Sequence, residues 1–121
     1  MAVSVSEDEK AAREAVKPML AGMTMLMSSY PEHPLFTCGG LPPDQVKRIA
    51  ATVAKGEAFT ELITDDMIDA FAIAGSPERC RENLAKVIDA GVTVPIAFEL
   101  PGVSAEKTIR GVHTHLLPYF L

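Results

Sequence analysis

The chain has 121 residues, 48% of them hydrophobic, and sixteen acidic against eleven basic side chains leave a formal charge of −5. That balance gives no electrostatic reason to expect nucleic acid or an anionic membrane surface as a partner, and no apolar run approaches the length of a membrane span. The two cysteines, Cys38 and Cys80, form no CxxC pair and no basic-then-apolar leader opens the chain, so a reduced, cytoplasmic protein is expected.

In chain order, Ala2 to Val5 is a short β-prone run. Ser6-Glu7-Asp8-Glu9 reads as a capping box, with Ser6 as the cap and Glu9 three residues on. The helix it opens has Ala12, Val16, Met19 and Met23 on its buried side and Glu7, Asp8, Glu9, Lys10, Arg13 and Glu14 on its wet side. Pro18 is expected to kink it, because an internal proline removes one hydrogen bond. The methionines at 19, 23, 25 and 27 suit irregular core gaps better than a promiscuous binding surface. Residues 28–43, with four prolines and the Gly39-Gly40 pair, read as a loop. No GK[ST] or GxGxxG pattern surrounds those glycines, so they predict a turn and no phosphate loop. Asp44 to Lys55 is helical, with Val46, Ile49, Ala50 and Val53 inward and Gly56 at its end; a shorter helical piece follows around Ala58 to Ile63. Thr64 caps a helix over Asp65 to about Ala72. Asp65 and Asp66 suit its first turn, and no loop of alternating oxygen ligands accompanies them as a metal would require.

The stretch Phe71 to Leu100 organises the rest. It reads as helix end, turn, helix, turn, strand. Gly75 can stop the preceding helix, Ser76 can cap the next and Pro77 suits a first helical position. Cys80, Leu84, Val87 and Ile88 then mark one buried face, and Gly91 ends the helix. Val92 to Leu100 is nearly unbroken apolar sequence, expected to be a strand covered on both sides and so part of a parallel sheet. Pro95 lacks an N–H for the ladder, which restricts pairing to Ile96 to Leu100. In the last helix Ile109, Val112, Leu116 and Phe120 share a side. His113 and His115 point about 200° apart on a helix and cannot share a metal. His33 stands alone, no Ser lies in a GxSxG elbow, and these residues present neither a catalytic nor a metal-binding constellation.

AGSPERCRENLAKVIDAGVTVPIAFELPG followed by HLLPYF resembles the C-terminal end of the luciferase-like flavin and deazaflavin oxidoreductases, which include bacterial luciferase, alkanesulfonate monooxygenase and methylenetetrahydromethanopterin reductase. VSVSEDEKAAREAVKPML is similar to that family's seventh strand and the helical insertion after it, Val92 to Leu100 to strand eight, and Ser104 to Phe120 to the closing helix. The resemblance implies an α/β chain that is a C-terminal fragment of a (β/α)8 barrel: a strand end at 1–5, a helical insertion at 6–74 and the last helix-strand-helix unit at 75–121. A whole barrel takes roughly 250 residues. In that setting Glu99, Gly102 and Ser104 would lie at the carboxyl end of the barrel, the face that carries active sites; Glu99 also reads as a solvated carboxylate and Ser104 as a plain helix cap. The resemblance further implies a parent oxidoreductase that holds FMN or the deazaflavin coenzyme F-420, acts on a small-molecule substrate and lies closest to the methylenetetrahydromethanopterin reductase branch. Because the family's earlier strands are absent, this chain alone is expected to bind no flavin tightly and to be inactive. The other reading is a stand-alone interaction module that associates with itself or completes another barrel through open strand edges.

Overall fold

A computed structural model describes residues 1–100 and 102–121; Pro101, within the stretch that resembles the family's C-terminal end, lies outside the described residues. The elements are β1 (Ala2–Val5), α1 (Glu9–Leu26), α2 (Pro34–Cys38), α3 (Pro43–Ala54), a 3-10 turn (Thr60–Leu62), α4 (Asp65–Phe71), β2 (Ala72–Gly75), α5 (Pro77–Asp89), α6 (Ala105–His115) and α7 (Leu117–Phe120). They fall into two compact units, one of residues 1–16 with 72–121 and one of residues 17–71.

The first unit is built on a parallel pair. β1 and β2 align Ala2 with Ala72, Val3 with Ile73, Ser4 with Ala74 and Val5 with Gly75, and the Ser6 N–H donates to the Gly75 carbonyl at 3.1 Å just beyond the ladder. Because strand side chains alternate, Val3 and Ile73 share one face. There they form a core with Cys80 and Leu84 of α5 and with Leu116, flanked by Val5, Val87, Ile88, Val112 and Phe120. Burial of each such aliphatic side chain contributes roughly 1.5–3 kcal/mol. The opposite face carries only the small side chains of Ala2, Ser4, Ala72 and Ala74.

The turn into α5 has the expected form. Gly75 sits at φ 144°, where a Cβ would also come within 3.0 Å of Arg79 Cδ. The Ser76 hydroxyl accepts from the Arg79 N–H at 3.3 Å, and the helix starts at Pro77.

The second unit, residues 17–71, is helical. Phe36, Leu41, Val46, Ile49, Ile63, Met67 and Ile68 are buried, and Phe36 meets Phe71 edge to face with 6.3 Å between ring centres. The Gly39-Gly40 pair has a packing reason. A Cβ on Gly39 would lie 2.4 Å from the Phe71 ring, and Gly40 takes φ 76°.

Six sequence readings need correction. Ser6 does not pair with Glu9 in a capping box; Asp8 caps α1 by accepting the Ala11 N–H at 3.0 Å, and Ser6 accepts from Asp8. Arg13, assigned to the wet side, is buried and donates to the Ala74 carbonyl at 3.1 Å. The predicted loop contains α2, which His33 caps through Nδ1. Ile109, assigned inward, is exposed. The helix expected before Gly75 stops at Phe71, and Ala72–Gly75 is a strand because its backbone pairs with β1. The apolar segment 92–100 makes only an isolated parallel bridge, Phe98 with Ala2.

Buried Cys80 has its thiol pushed up from 9.0 to about 11, first by desolvation and then by the Glu9 charge. Between those values the unfolded thiol has lost its proton while the folded one keeps it, so stability falls as pH rises from about 9 to about 11. Urea unfolding across that window will show a component of the decline that Cys80→Ala lacks. Ellman's reagent on the native chain will modify exposed Cys38, and Cys80 only upon unfolding.

Candidate functional site

In a parallel sheet the loops at the carboxyl ends of the strands are where side chains of different elements converge. Here those ends are Val5-Ser6 and Gly75-Ser76. A groove lined by Ser4, Ser6, Ala11, Val103, Lys107 and Thr108 opens beside the first of them, with a volume of about 60 Å³. Its polar atoms come from β1, from the residue after it and from the first turns of α6. An ion pair stands nearby in the chain: Arg79 of α5 holds Glu9 of α1 at 3.0 Å, with both side chains partly exposed. Such a pair positions two helix starts and contributes at most about 1 kcal/mol. Glu78, in the first turn of α5, is held below the usual carboxylate range mainly by its own backbone N–H at the helix start; desolvation opposes this, and Arg81 adds to the lowering.

The three sequence candidates do not converge. Glu99 is exposed at the end of the apolar segment. Gly102 takes φ 83°, a conformation that favours glycine. Ser104 spends its hydroxyl as the cap of α6, accepting the Lys107 N–H at 3.2 Å. Lys107 and Thr108, which line the groove, were missed by sequence reading; their only signal was position, in the first turn after a capping serine. Among the described residues no group of three or more His, Cys, Asp or Glu side chains could hold a metal. His113 is exposed on α6, and the His115 carbonyl accepts from Arg81, whose guanidinium also lies 4.3 Å from the centre of the Tyr119 ring. No described helix is long and apolar enough to cross a membrane.

A second, larger cleft of about 530 Å³ lies on the other side of the sheet. Its walls include Val3, Ile73, Leu84, Val94, Pro95 and Leu117, and no charged side chain lines it.

No protein-family model matches the chain. Individual proteins do. It is 32% identical over 119 residues to a 5,10-methylenetetrahydromethanopterin reductase of Methanopyrus kandleri, a match that covers 97% of this chain and 33% of the relative. It is 30% identical over 124 residues to the reductase of the same name from Archaeoglobus fulgidus, covering 96% of this chain and 36% of that one. The solved structure of the coenzyme F-420 dependent tetrahydromethanopterin reductase from Methanopyrus kandleri superposes with a TM-score of 0.82 at 30% identity, covering 100% of this chain and 34% of the other. The chain therefore spans about a third of the length of the relatives it matches. It is a homologue of that part of the methylenetetrahydromethanopterin reductases, and the luciferase-like resemblance and the barrel-fragment fold read from its sequence hold.

Removing the α6 cap by Ser104→Ala is expected to lower the unfolding free energy by about 1 kcal/mol. Glu99→Gln, at an exposed position, is expected to change it by less than about 0.5 kcal/mol. Urea titration of the two variants measures both.

Proposed function

We propose that this chain is the carboxyl-terminal part of a deazaflavin-dependent oxidoreductase, an enzyme that passes hydride between coenzyme F-420 and a small-molecule substrate, and that alone it is inactive. The observation that supports this most directly is the match of the whole chain, at 30% identity and a TM-score of 0.82, to a reductase described as coenzyme F-420 dependent. That favours the deazaflavin over FMN, and hydride transfer over oxygen activation. The deazaflavin would supply the redox chemistry, and the protein its berth and orientation.

The residues present do not by themselves form that berth. Ligand sites for molecules of this size occupy about 300–1,000 Å³ and present a few placed polar groups. The groove at the carboxyl end of β1 holds about 60 Å³, room for one or two waters. The 530 Å³ cleft has the volume, but its walls are mostly hydrocarbon, with Thr93 as the one polar side chain, and it shares the sheet face of Val3 and Ile73 that packs against helices. In the assembled enzyme we place Glu99, Gly102 and Ser104 on the rim of the cofactor face as backbone and capping residues, with Ser6 and Lys107 behind them. No step of chemistry is assigned to them. The free thiols of Cys38 and Cys80 suit a reducing cytoplasm.

Two measurements test this. Fluorescence titration of the 121-residue chain with coenzyme F-420 is expected to show no saturable binding in the micromolar range; micromolar binding overturns the inactivity of the isolated chain. A chimera of the Methanopyrus kandleri reductase in which this chain replaces the matched third is expected to bind coenzyme F-420 at micromolar concentration. A folded chimera that leaves the cofactor unbound overturns the deazaflavin reading.

A further inference from the structure

Among the described residues Arg13 is the one charged residue that is buried, with 6% of its surface exposed. Its guanidinium donates to the carbonyl of Ala74, the residue before Gly75 in β2, at 3.1 Å. One helical turn earlier on α1, Glu9 pairs at 3.0 Å with Arg79, in the first turn of α5. α1 is therefore fastened to the connection between β2 and α5 on both sides of the Gly75-Ser76-Pro77 turn, at Ala74 before it and at Arg79 after it. Between these points the Gly75 carbonyl accepts from the Ser6 N–H at 3.1 Å. Neither fastening is needed for stability as such. A partly exposed ion pair contributes little. Burying a guanidinium costs desolvation that its contacts must offset, and an apolar side chain of similar volume in such a place is often neutral or stabilising. What a methionine at position 13 lacks is an N–H to aim at one chosen carbonyl.

From this we infer that Glu9 and Arg13 are positioning residues: a two-point clamp from α1 that holds the turn at residues 75–77 in one geometry on the ligand face of the sheet. The carboxyl ends of parallel strands are where loops meet a ligand, and Gly75-Ser76 is such an end. A turn fixed in advance spares a bound molecule the entropy of ordering it, so the clamp acts on affinity more than on stability. That the turn borders a cofactor rests on the function proposed above; the clamp rests on the contacts of this chain alone.

Urea unfolding and hydrogen exchange of the 121-residue chain carrying Arg13→Met test this. The urea midpoint is expected to equal or exceed that of the unmodified chain. The Ser6 and Arg79 amides, whose acceptors are the Gly75 carbonyl and the Ser76 hydroxyl, are expected to exchange about tenfold faster relative to Leu84 in the middle of α5. Glu9→Gln, at a partly exposed pair, should leave the midpoint unchanged and quicken the Arg79 amide about threefold. An Arg13→Met chain that fails to fold, protection lost evenly along the turn and α5, or turn amides unchanged in both variants overturns the clamp. In the chimera with the Methanopyrus kandleri reductase, Arg13→Met is expected to raise the dissociation constant of coenzyme F-420 about tenfold at an unchanged urea midpoint; an unchanged constant overturns the positioning role. A chimera that leaves coenzyme F-420 unbound with Arg13 in place counts against the deazaflavin reading, and the exchange measurements then decide the clamp by themselves.

Discussion

A parallel pair of four-residue strands cannot stand by itself in water, and everything ordered in the first unit answers that constraint. Two strands supply few hydrogen bonds and no enclosed core, so stability has to come from helices laid on one face. Val3 and Ile73 are opposite one another in the register, which puts two branched side chains at the same point of the sheet. Cys80 and Leu84, one turn apart on α5, and Leu116 after α6 close over them. The other face admits close neighbours because its side chains are alanine and serine. Arg13 shows how close: its guanidinium reaches the Ala74 carbonyl from α1 while nine-tenths of the residue is hidden.

The turn at residues 75–77 is what brings α5 over the strand it has just left. Gly75 takes a backbone conformation that a side chain would strain and also leaves room for Arg79; Ser76 satisfies an N–H of the first turn; Pro77 forgoes a donor that would have had no acceptor. These are local requirements. They are met whether the sheet has two strands or eight, which is why the stretch resembles its family even in a chain a third as long as the relatives.

How much was legible follows the same division between local and non-local causes. The start of α5, the cap of α6, the span of α3 and the extended β1 depend on neighbours within a few residues, and the sequence reading placed them. β2 was misread as the end of a helix because Phe71 to Ala74 suits either period, and only pairing with residues some seventy positions earlier decides it. Arg13 looked like a solvated charge because nothing near it in the chain announces the Ala74 carbonyl. Ile109 sits on the apolar side of α6 by spacing, but α6 breaks at Leu116 before the short α7, and the face that reaches the core runs through Val112, Leu116 and Phe120. The segment 92–100 was read as a doubly covered strand. Its composition does specify that environment; the described residues provide cover on one side alone.

That last mismatch also decides which opening matters for chemistry. The cleft beside residues 92–97 is several times larger than the groove at Ser4 and Ser6, and on size alone it would be taken for the active site. Its walls argue otherwise. A redox coenzyme carries ring nitrogens, carbonyls and hydroxyls that lose several kcal/mol if moved from water to hydrocarbon without partners, and this cleft presents neither a charged side chain nor a strand terminus. It is continuous with the core residues Val3, Ile73 and Leu84. The polar groups of Ser4, Ser6, Lys107 and Thr108 gather instead at the carboxyl end of β1, where a parallel sheet directs its loops.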